Sequence, residues 1–186
     1  MVASDWVTID AAGRQLGTGI GPGMPVSTRL KDLAEQGRLP CTLGAVLAWD
    51  RGVFEVFGPL QQERSAITSD YILPFRAALL NGIEYLDTPL VAVRMHQQQK
   101  FQRYIGNDPD PHSLREGQRA NQLIQGLYML ETLRTAEMRQ LKPAAELQET
   151  YSHLLRFILA TGMDWGQARN HLYASGLRPR WTTLEP

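Results

Sequence analysis

A stripe of apolar residues towards the C-terminal end constrains the fold of this 186-residue chain more than any other feature. Starting at Leu147, apolar positions recur at i+4, i+7, i+8, i+11 and i+12, which is the spacing of one face of an α-helix. The stripe consists of Leu147, Tyr151, Leu154, Leu155, Ile158 and Leu159. Pro143 suits the first turn of such a helix and Gly162 suits its end. The sequence therefore predicts a helix between Pro143 and Gly162 whose stripe, Leu155 included, is buried from Leu147 to Ile158.

A second long helix is predicted directly before this one. Ser113 is followed three residues later by Glu116, which is the capping-box pattern, and Pro143 limits the helix at its other end. Apolar residues between these limits form one broad face, made of Leu123, Ile124, Leu127, Met129, Leu130, Leu133 and Ala136. A face of that width indicates burial on two sides. Gly117 and Gly126 should each weaken the helix by about 1 kcal/mol relative to alanine.

Two further helices complete the predicted C-terminal part. One begins at a cap on Ser69 or Asp70, which leaves Pro74 in the first turn, where a missing N–H is tolerated. The other is a short helix over residues 165–175. Between them, residues 90–95 are apolar without a decisive period, so they are predicted as either a strand or the start of a helix.

The N-terminal residues have a different texture, because glycine and proline interrupt the apolar runs. Residues 6–9 predict a short strand, and residues 13–25 hold five glycines and two prolines, which is loop composition. Residues 27–36 predict a short helix capped by a serine. The β-rich runs 43–49 and 53–57 flank an Asp-Arg-Gly connection, which predicts a hairpin with a bulged turn.

Together these elements predict an α+β, helix-dominated fold. A small N-terminal β-hairpin element should pack on a C-terminal bundle of four to five helices. The change of texture divides the chain into residues 1–68, which are rich in glycine and proline, and residues 69–186, the helical bundle. A chain of this length is expected to form one compact domain overall.

Charge and cysteine content exclude several classes of protein. Nineteen basic and nineteen acidic side chains cancel, which argues against a protein that coats nucleic acid or anionic membranes through bulk charge. Cys41 is the only cysteine, so an intramolecular disulfide and Cys-rich metal sites are excluded. The sequence contains neither an apolar run of roughly 18 residues nor, in residues 1–10, the core of a secretory signal. We therefore expect a cytoplasmic protein without a membrane partner.

No motif in the sequence predicts catalysis, a cofactor or a metal. Residues 17–23 stand where a phosphate-binding loop would, but no Gly-Lys-Ser/Thr follows and the glycine spacing misses the dinucleotide fingerprint. We expect this segment to be a flexible connector or arm. His112 with Glu116 and Glu149 with His153 have helical i, i+4 spacing, yet two ligands do not make a metal site. The sequence thus favours a protein that is not an enzyme.

The most informative polar segment covers residues 94–104. It carries positive charges without any acid, four glutamines and two aromatic residues, a mixture that can neutralise phosphates, bond base edges and stack on bases. The candidate nucleic-acid contacts are Arg94, His96, Lys100, Phe101, Arg103 and Tyr104, together with the C-terminal Arg169, Arg178 and Arg180. Two alternatives stay open for the segment: a polar helix face whose aromatic residues reach the core, or a protein interface.

The leading hypothesis is a non-catalytic protein–protein interaction protein, such as an adaptor, an inhibitor or a subunit of a larger assembly. Aromatic and arginine side chains are favoured interface anchors, and Trp181 in the predicted irregular tail is the candidate anchor. The expected partner is another protein or a second copy of the chain. The alternative is a nucleic-acid-binding or regulatory protein that uses residues 94–104 and the C-terminal arginines. An enzyme with an unrecognised site ranks third.

Overall fold

The computed structural model describes residues 1–19, 30, 33, 46–60, 62–95 and 111–162. Within these residues four strands and four helices have described bounds. The strands are β1 (Val2–Ile9), β2 (Gln15–Gly19), β3 (Leu47–Ala48) and β4 (Glu84–Arg94). The helices are α1 (Gly52–Phe57), α2 (Gln62–Leu80), α3 (Pro111–Met138) and α4 (Ala144–Ala160). The α+β, helix-dominated fold class is confirmed.

Strand β1 is the centre of the sheet. It pairs antiparallel with β2 and β3 and parallel with β4. Val2 and Ala3 pair with both β3 and β4, so these two strands flank β1 on opposite edges. Trp6 to Ile9 pair with both β2 and β4, which places β2 on the same edge as β3. The strand predicted around Trp6 is confirmed, and residues 90–94 belong to a strand rather than a helix.

A tight turn joins β1 to β2. The Asp10 N–H donates to the Arg14 carbonyl at 2.9 Å, and the Asp10 carboxylate accepts from the Arg14 main-chain N–H at 2.9 Å and from Nε at 2.8 Å. Gly13 has a φ of +84°, which glycine adopts without steric cost. This local network starts β2 at Gln15. The loop predicted for residues 13–25, and the flexible arm within it, are therefore wrong over β2.

The hairpin predicted for residues 43–57 is wrong, because its second strand is the helix α1. The Asp50 carboxylate accepts from the Gly52 N–H at 2.7 Å, and the Asp50 carbonyl accepts from the Val53 N–H at 3.1 Å. These bonds satisfy amides that a helix leaves open at its first turn. Arg51 and Glu55 add an i, i+4 ion pair of 2.8 Å. The N-terminal hairpin of this protein is formed by β1 and β2 instead.

Strand β4 is longer than β1 and bulges away from it. Asp5 pairs with Pro89, whereas its neighbours pair with Leu86 and Val91. Residues 87, 88 and 90 of β4 therefore have no paired residue in β1. A bulge is one of the few sheet positions that tolerate proline, because the ring nitrogen has no hydrogen to donate to the ladder.

Helix α2 begins at Gln62, so the start predicted at Ser69 or Asp70 is wrong and Pro74 lies in the helix interior. Pro74 interrupts the intrahelical bonds there, since it has no N–H. Residues 72–79 are nonetheless all buried and form the centre of the core. The position where the sequence texture changes, residue 68, also lies inside this helix.

Helices α3 and α4 agree with the sequence within a few residues. Pro143 is the N-cap of α4, and Gly162, with a φ of +64°, follows its end. Helix α3 contacts both α2 and α4, as its broad apolar face predicts. The largest buried core side chains on these three helices are Ile72, Phe75, Leu79, Met129, Leu133 and Leu154.

Two of the predicted helices fall wholly or mostly outside the described residues. Of the helix predicted over residues 27–36, Leu30 and Leu33 are described, and both are helical and buried. The helix predicted over residues 165–175 lies outside the described residues.

Candidate functional site

Arg94 is the one predicted nucleic-acid contact that the described residues include. Its guanidinium Nη1 donates to the main-chain carbonyls of Asp10, at 3.3 Å, and Ala11. These hydrogen bonds from Arg94 therefore stabilise the turn between β1 and β2. The other candidates lie outside the described residues; they are His96, Lys100, Phe101, Arg103, Tyr104, Arg169, Arg178, Arg180 and the anchor Trp181.

Helix α4 presents two leucines to solvent, which we call the α4 outer patch: Leu155, 50% exposed, and Leu159, 77% exposed. They lie one helical turn apart, so their side chains are neighbours. The burial predicted for Leu155 is therefore wrong. Leu147, Thr150 and Leu154 are the buried residues of this helix.

The outer patch arises because the apolar stripe of α4 is wider than the face that the core covers. At 100° per residue, Leu155 is rotated by about 100° and Leu159 by about 140° from the fully buried Leu154. The exposed side chains of Glu149 and Arg156 follow the patch around the helix towards solvent; on the far side of these two residues His153, with its side chain 12% exposed, lies 2.8 Å from Arg156 Nη2 and 3.8 Å from Glu149. An apolar patch with a polar border has the composition of a small protein interface.

The second candidate site is a polar cleft of about 70 Å³ where α1, α2 and α3 meet. We call it the Arg76 cleft. Residues from all three helices line it, among them Phe57, Arg76, Tyr128, Glu131, Thr132 and Thr135. Arg76 is only 4% exposed, and its Nη1 donates to the Gly58 carbonyl at 2.8 Å. The rings of Phe57 and Tyr128 lie 5.4 and 5.6 Å from the guanidinium carbon, within the range of cation–π attraction.

The charge of Arg76 is incompletely compensated. Burial lowers the pKa of its guanidinium, and the Tyr128 hydroxyl and the Glu131 carboxylate oppose that shift. The buried Nε of Arg76 has no hydrogen-bond partner. A buried N–H without an acceptor costs about 1–3 kcal/mol, so Arg76, one of the residues that line the cleft, has an unmet demand for an acceptor.

A buried polar pair lies between β1 and β4. The Tyr85 hydroxyl donates to the Asp5 carboxylate, and Asp5 is a buried residue opposite the bulge of β4. The pair binds the two parallel strands to each other through side chains at a point where the bulge interrupts regular pairing. We therefore assign the pair a structural role.

Other site types are not found in the part of the chain that the structure describes. No group of three or more histidine, cysteine, aspartate or glutamate side chains there could hold a metal ion. None of the described helices combines the length and apolar character needed to cross a lipid bilayer.

Comparison with known proteins gives no further guide: no family model, no curated protein and no solved structure matches this chain. The geometry of its own residues must therefore carry the functional argument.

Sequence reasoning missed Arg76, although one signal was present. Arg76 is the one charged residue in the otherwise apolar run 72–79. A charge inside an apolar run that is buried must find partners or a function. The partners Phe57 and Tyr128 come from other helices, and no local pattern connects them to Arg76.

Proposed function

We propose that this protein is a non-catalytic interaction protein and that the α4 outer patch, Leu155 and Leu159, is where its partner docks. The observation that carries the proposal is the exposure of these two leucines, 50% and 77%, on a helix whose opposite face is already buried in the core. The partner is another protein or a second copy of this chain.

The physical argument rests on the free energy of apolar surface. Burying a leucine side chain that is otherwise in water contributes roughly 1.5–3 kcal/mol. Apolar residues at i and i+4 are two of the anchor positions through which a helix docks in an apolar groove. Glu149 and Arg156 on the solvent side would then form the polar rim, where charged pairs affect specificity more than affinity.

Replacing both leucines by glutamate tests the proposal. The double variant L155E/L159E should keep the fold, because substitutions at exposed positions usually change stability by less than about 0.5 kcal/mol. The matched control is Met138→Glu, which alters another exposed apolar residue, 69% exposed, at the end of α3. Circular dichroism should show equal helix content in all three proteins.

Sedimentation velocity at increasing protein concentration then separates the two kinds of partner. Concentration-dependent self-association that disappears in L155E/L159E and persists in Met138→Glu would assign the patch to a second copy. If the wild type stays monomeric, purified tagged protein is used to recover binding partners from the source cell. Proteins retained by the wild type and by Met138→Glu but lost in L155E/L159E support the proposal. Identical behaviour of all three proteins in both assays contradicts it.

The nucleic-acid alternative remains a prediction about residues 94–104 and the C-terminal arginines. Arg94, the residue of this set that the structure describes, bonds to the β1–β2 turn of its own chain. Titration of labelled single- and double-stranded oligonucleotides at low salt tests the alternative directly. If the wild type binds an oligonucleotide, Lys100→Ala/Arg103→Ala abolishes that binding and L155E/L159E leaves it intact, nucleic-acid binding replaces protein interaction as the proposed function.

A further inference from the structure

The Arg76 cleft carries an inference that is independent of the α4 outer patch. Its volume, about 70 Å³, is too small for a cofactor and exceeds the roughly 10–15 Å³ that holds one water molecule. The cleft therefore accommodates a group of a few non-hydrogen atoms.

The donors and acceptors around the cleft are unequally distributed. Arg76 offers N–H groups, and its Nε has no acceptor. The hydroxyls of Thr132 and Thr135 donate to main-chain carbonyls one turn earlier, of Tyr128 at 2.9 Å and of Glu131 at 3.1 Å. Because each hydroxyl has a single hydrogen, these two side chains present only lone pairs to a ligand.

The charges around the cleft are divided in the same way as the donors and acceptors. The guanidinium of Arg76 is cationic and buried, and the carboxylate of Glu131 on the same cleft is anionic and lies on an exposed residue. A simple anion would meet Arg76 favourably but would be repelled by Glu131. A ligand with an acceptor at one end and a donor at the other suits both sides, because the Glu131 carboxylate can accept a hydrogen bond from it in addition to its interactions within the chain.

We propose that the Arg76 cleft binds a small carboxylate whose neighbouring nitrogen carries a hydrogen, as in an α-amino acid or the C-terminal residue of a peptide. The carboxylate accepts hydrogen bonds from the Arg76 guanidinium, whose planar fork matches the two carboxylate oxygens. The nitrogen donates towards Glu131 and the threonine hydroxyls. The volume limits the ligand to a residue without a large side chain.

Four probes separate the parts of this proposal: glycine, N-acetylglycine, acetate and N-acetylglycinamide. Glycine represents a free amino acid and N-acetylglycine represents a chain end. Acetate lacks the nitrogen donor, and N-acetylglycinamide lacks the carboxylate. Each is titrated at constant ionic strength into full-length protein labelled with ¹⁵N-arginine, and the arginine Nε–Hε resonances are followed by NMR. Loss of one resonance in Arg76→Lys assigns the Arg76 signal.

We expect a saturable shift of the Arg76 resonance with glycine or N-acetylglycine, with a Kd in the millimolar range, about 1–50 mM, as suits a ligand of so few atoms. Acetate should bind several-fold more weakly, and N-acetylglycinamide should not bind. Glycine that binds more tightly than N-acetylglycine identifies the free amino acid as the source, and the reverse order identifies the chain end.

Glu131→Gln is the variant that keeps the proposal falsifiable should Arg76→Lys fail to fold, because Glu131 is exposed. Glu131→Gln should weaken the binding of glycine, because the ammonium group loses its charged partner. It should strengthen the binding of acetate, because the repulsion between two carboxylates is removed. Arg134→Lys, an exposed change on the same helix, is the matched control and should leave all affinities unchanged. Absence of saturation up to about 200 mM, or equal shifts with acetate and glycine or with N-acetylglycinamide, would overturn the proposal and leave the cleft to water.

Discussion

Gly126 of α3 lies directly beneath Ile158 of α4: a Cβ placed on the glycine would be 2.5 Å from Ile158 Cγ1 and 3.1 Å from Cδ1. Carbon atoms do not approach that closely, so the two helices can pack at this distance only because residue 126 has no side chain. Ile158, with Leu123, Leu127 and Leu130, forms a small apolar cluster at the same place. The residue that weakens α3 as an isolated helix therefore permits its packing against α4.

Gly126→Ala should destabilise the protein. Alanine gains about 1 kcal/mol of helix propensity over glycine, but overpacking a filled site costs about 1–3 kcal/mol, so we expect a net loss of up to about 2 kcal/mol. The free energy of unfolding is measured by urea denaturation. In an Ile158→Ala background the clash is absent, and the same substitution should become neutral or stabilising. If Gly126→Ala alone instead raises the free energy of unfolding by the full helix-propensity difference of about 1 kcal/mol, the two helices are not in close contact here.

Leu154→Ala and Leu155→Ala, at adjacent positions, should differ strongly. Leu154 is fully buried and Leu155 is 50% exposed, so truncation of Leu154 leaves a cavity and truncation of Leu155 does not. We expect a loss of about 2–5 kcal/mol for Leu154→Ala and of less than about 1 kcal/mol for Leu155→Ala. Urea denaturation of the two variants at one protein concentration measures both. Equal losses would mean that Leu155 is covered in solution.

Gln140→Gly should stabilise the turn between α3 and α4. Gln140 has a φ of +54°, a left-handed conformation that is costly for a side chain other than glycine. The Gln140 N–H donates to Glu137 and the Leu141 N–H donates to Ala136, which is the pattern in which glycine is preferred at this position. The expected gain is about 0.5–1 kcal/mol, read from thermal unfolding. Arg139→Gly, one residue earlier and without a positive φ, is the control and should destabilise.

Tyr85→Phe should cost more stability than Tyr151→Phe. The Tyr85 hydroxyl donates to the buried Asp5 carboxylate, whereas the Tyr151 hydroxyl makes a long, exposed bond of 3.4 Å to Glu137. A hydrogen bond to a charged group contributes about 1.5–3 kcal/mol, so we expect a loss in this range for Tyr85→Phe and less than about 1 kcal/mol for Tyr151→Phe. Urea denaturation compares them. Similar losses of unfolding free energy in the two variants would show that the Asp5–Tyr85 hydrogen bond does not stabilise the contact between β1 and β4.

Tyr151 should make stability depend on pH in the alkaline range. Burial raises the pKa of its hydroxyl above 10.0, and the nearby Glu137 carboxylate raises it further. The neutral form is thus favoured in the folded state, so this contribution is complete below pH 10 and is lost as the pH rises through the folded pKa. The difference in unfolding free energy between wild type and Tyr151→Phe should therefore shrink or reverse above pH 10. A difference that is constant from pH 8 to 11 would contradict the shifted pKa, and Tyr71→Phe is the control.

The ends of α3 and α4 could be predicted because local residues set them. Pro143 cannot continue a helix but can begin one, and Gly162 accepts the positive φ that ends α4. The strand at Trp6 could also be predicted from local residues, the apolar residues between positions 6 and 9. The hairpin prediction for residues 43–57 was wrong because a short apolar run fits a strand and a helix equally well. The hydrogen bonds from the Gly52 and Val53 N–H groups to Asp50 turn the chain into α1 instead.

The candidate sites depended on information that local patterns lack. The outer patch contains residues of the same stripe as the buried face, and only the position of α3 shows which leucines are covered. The Arg76 cleft draws on α1, α2 and α3, and Arg76 lies 19 residues after Phe57 and 52 residues before Tyr128 in the sequence. The residues that the sequence singled out for nucleic-acid contact lie, except for Arg94, outside the described residues, so that hypothesis stays a prediction.

By itself the sequence determined the helix-dominated fold class and the course of α3 and α4, because apolar periodicity, prolines and glycines act within a few residues of each other. Only the tertiary structure decided that β4 pairs in parallel with β1, that Leu154 is buried while Leu155 is not, and that Gly126 receives Ile158. The physical reason is the same in each case. Strand pairing, burial and close helix contact depend on what lies opposite a residue in space, and the facing residue belongs to another element of the chain.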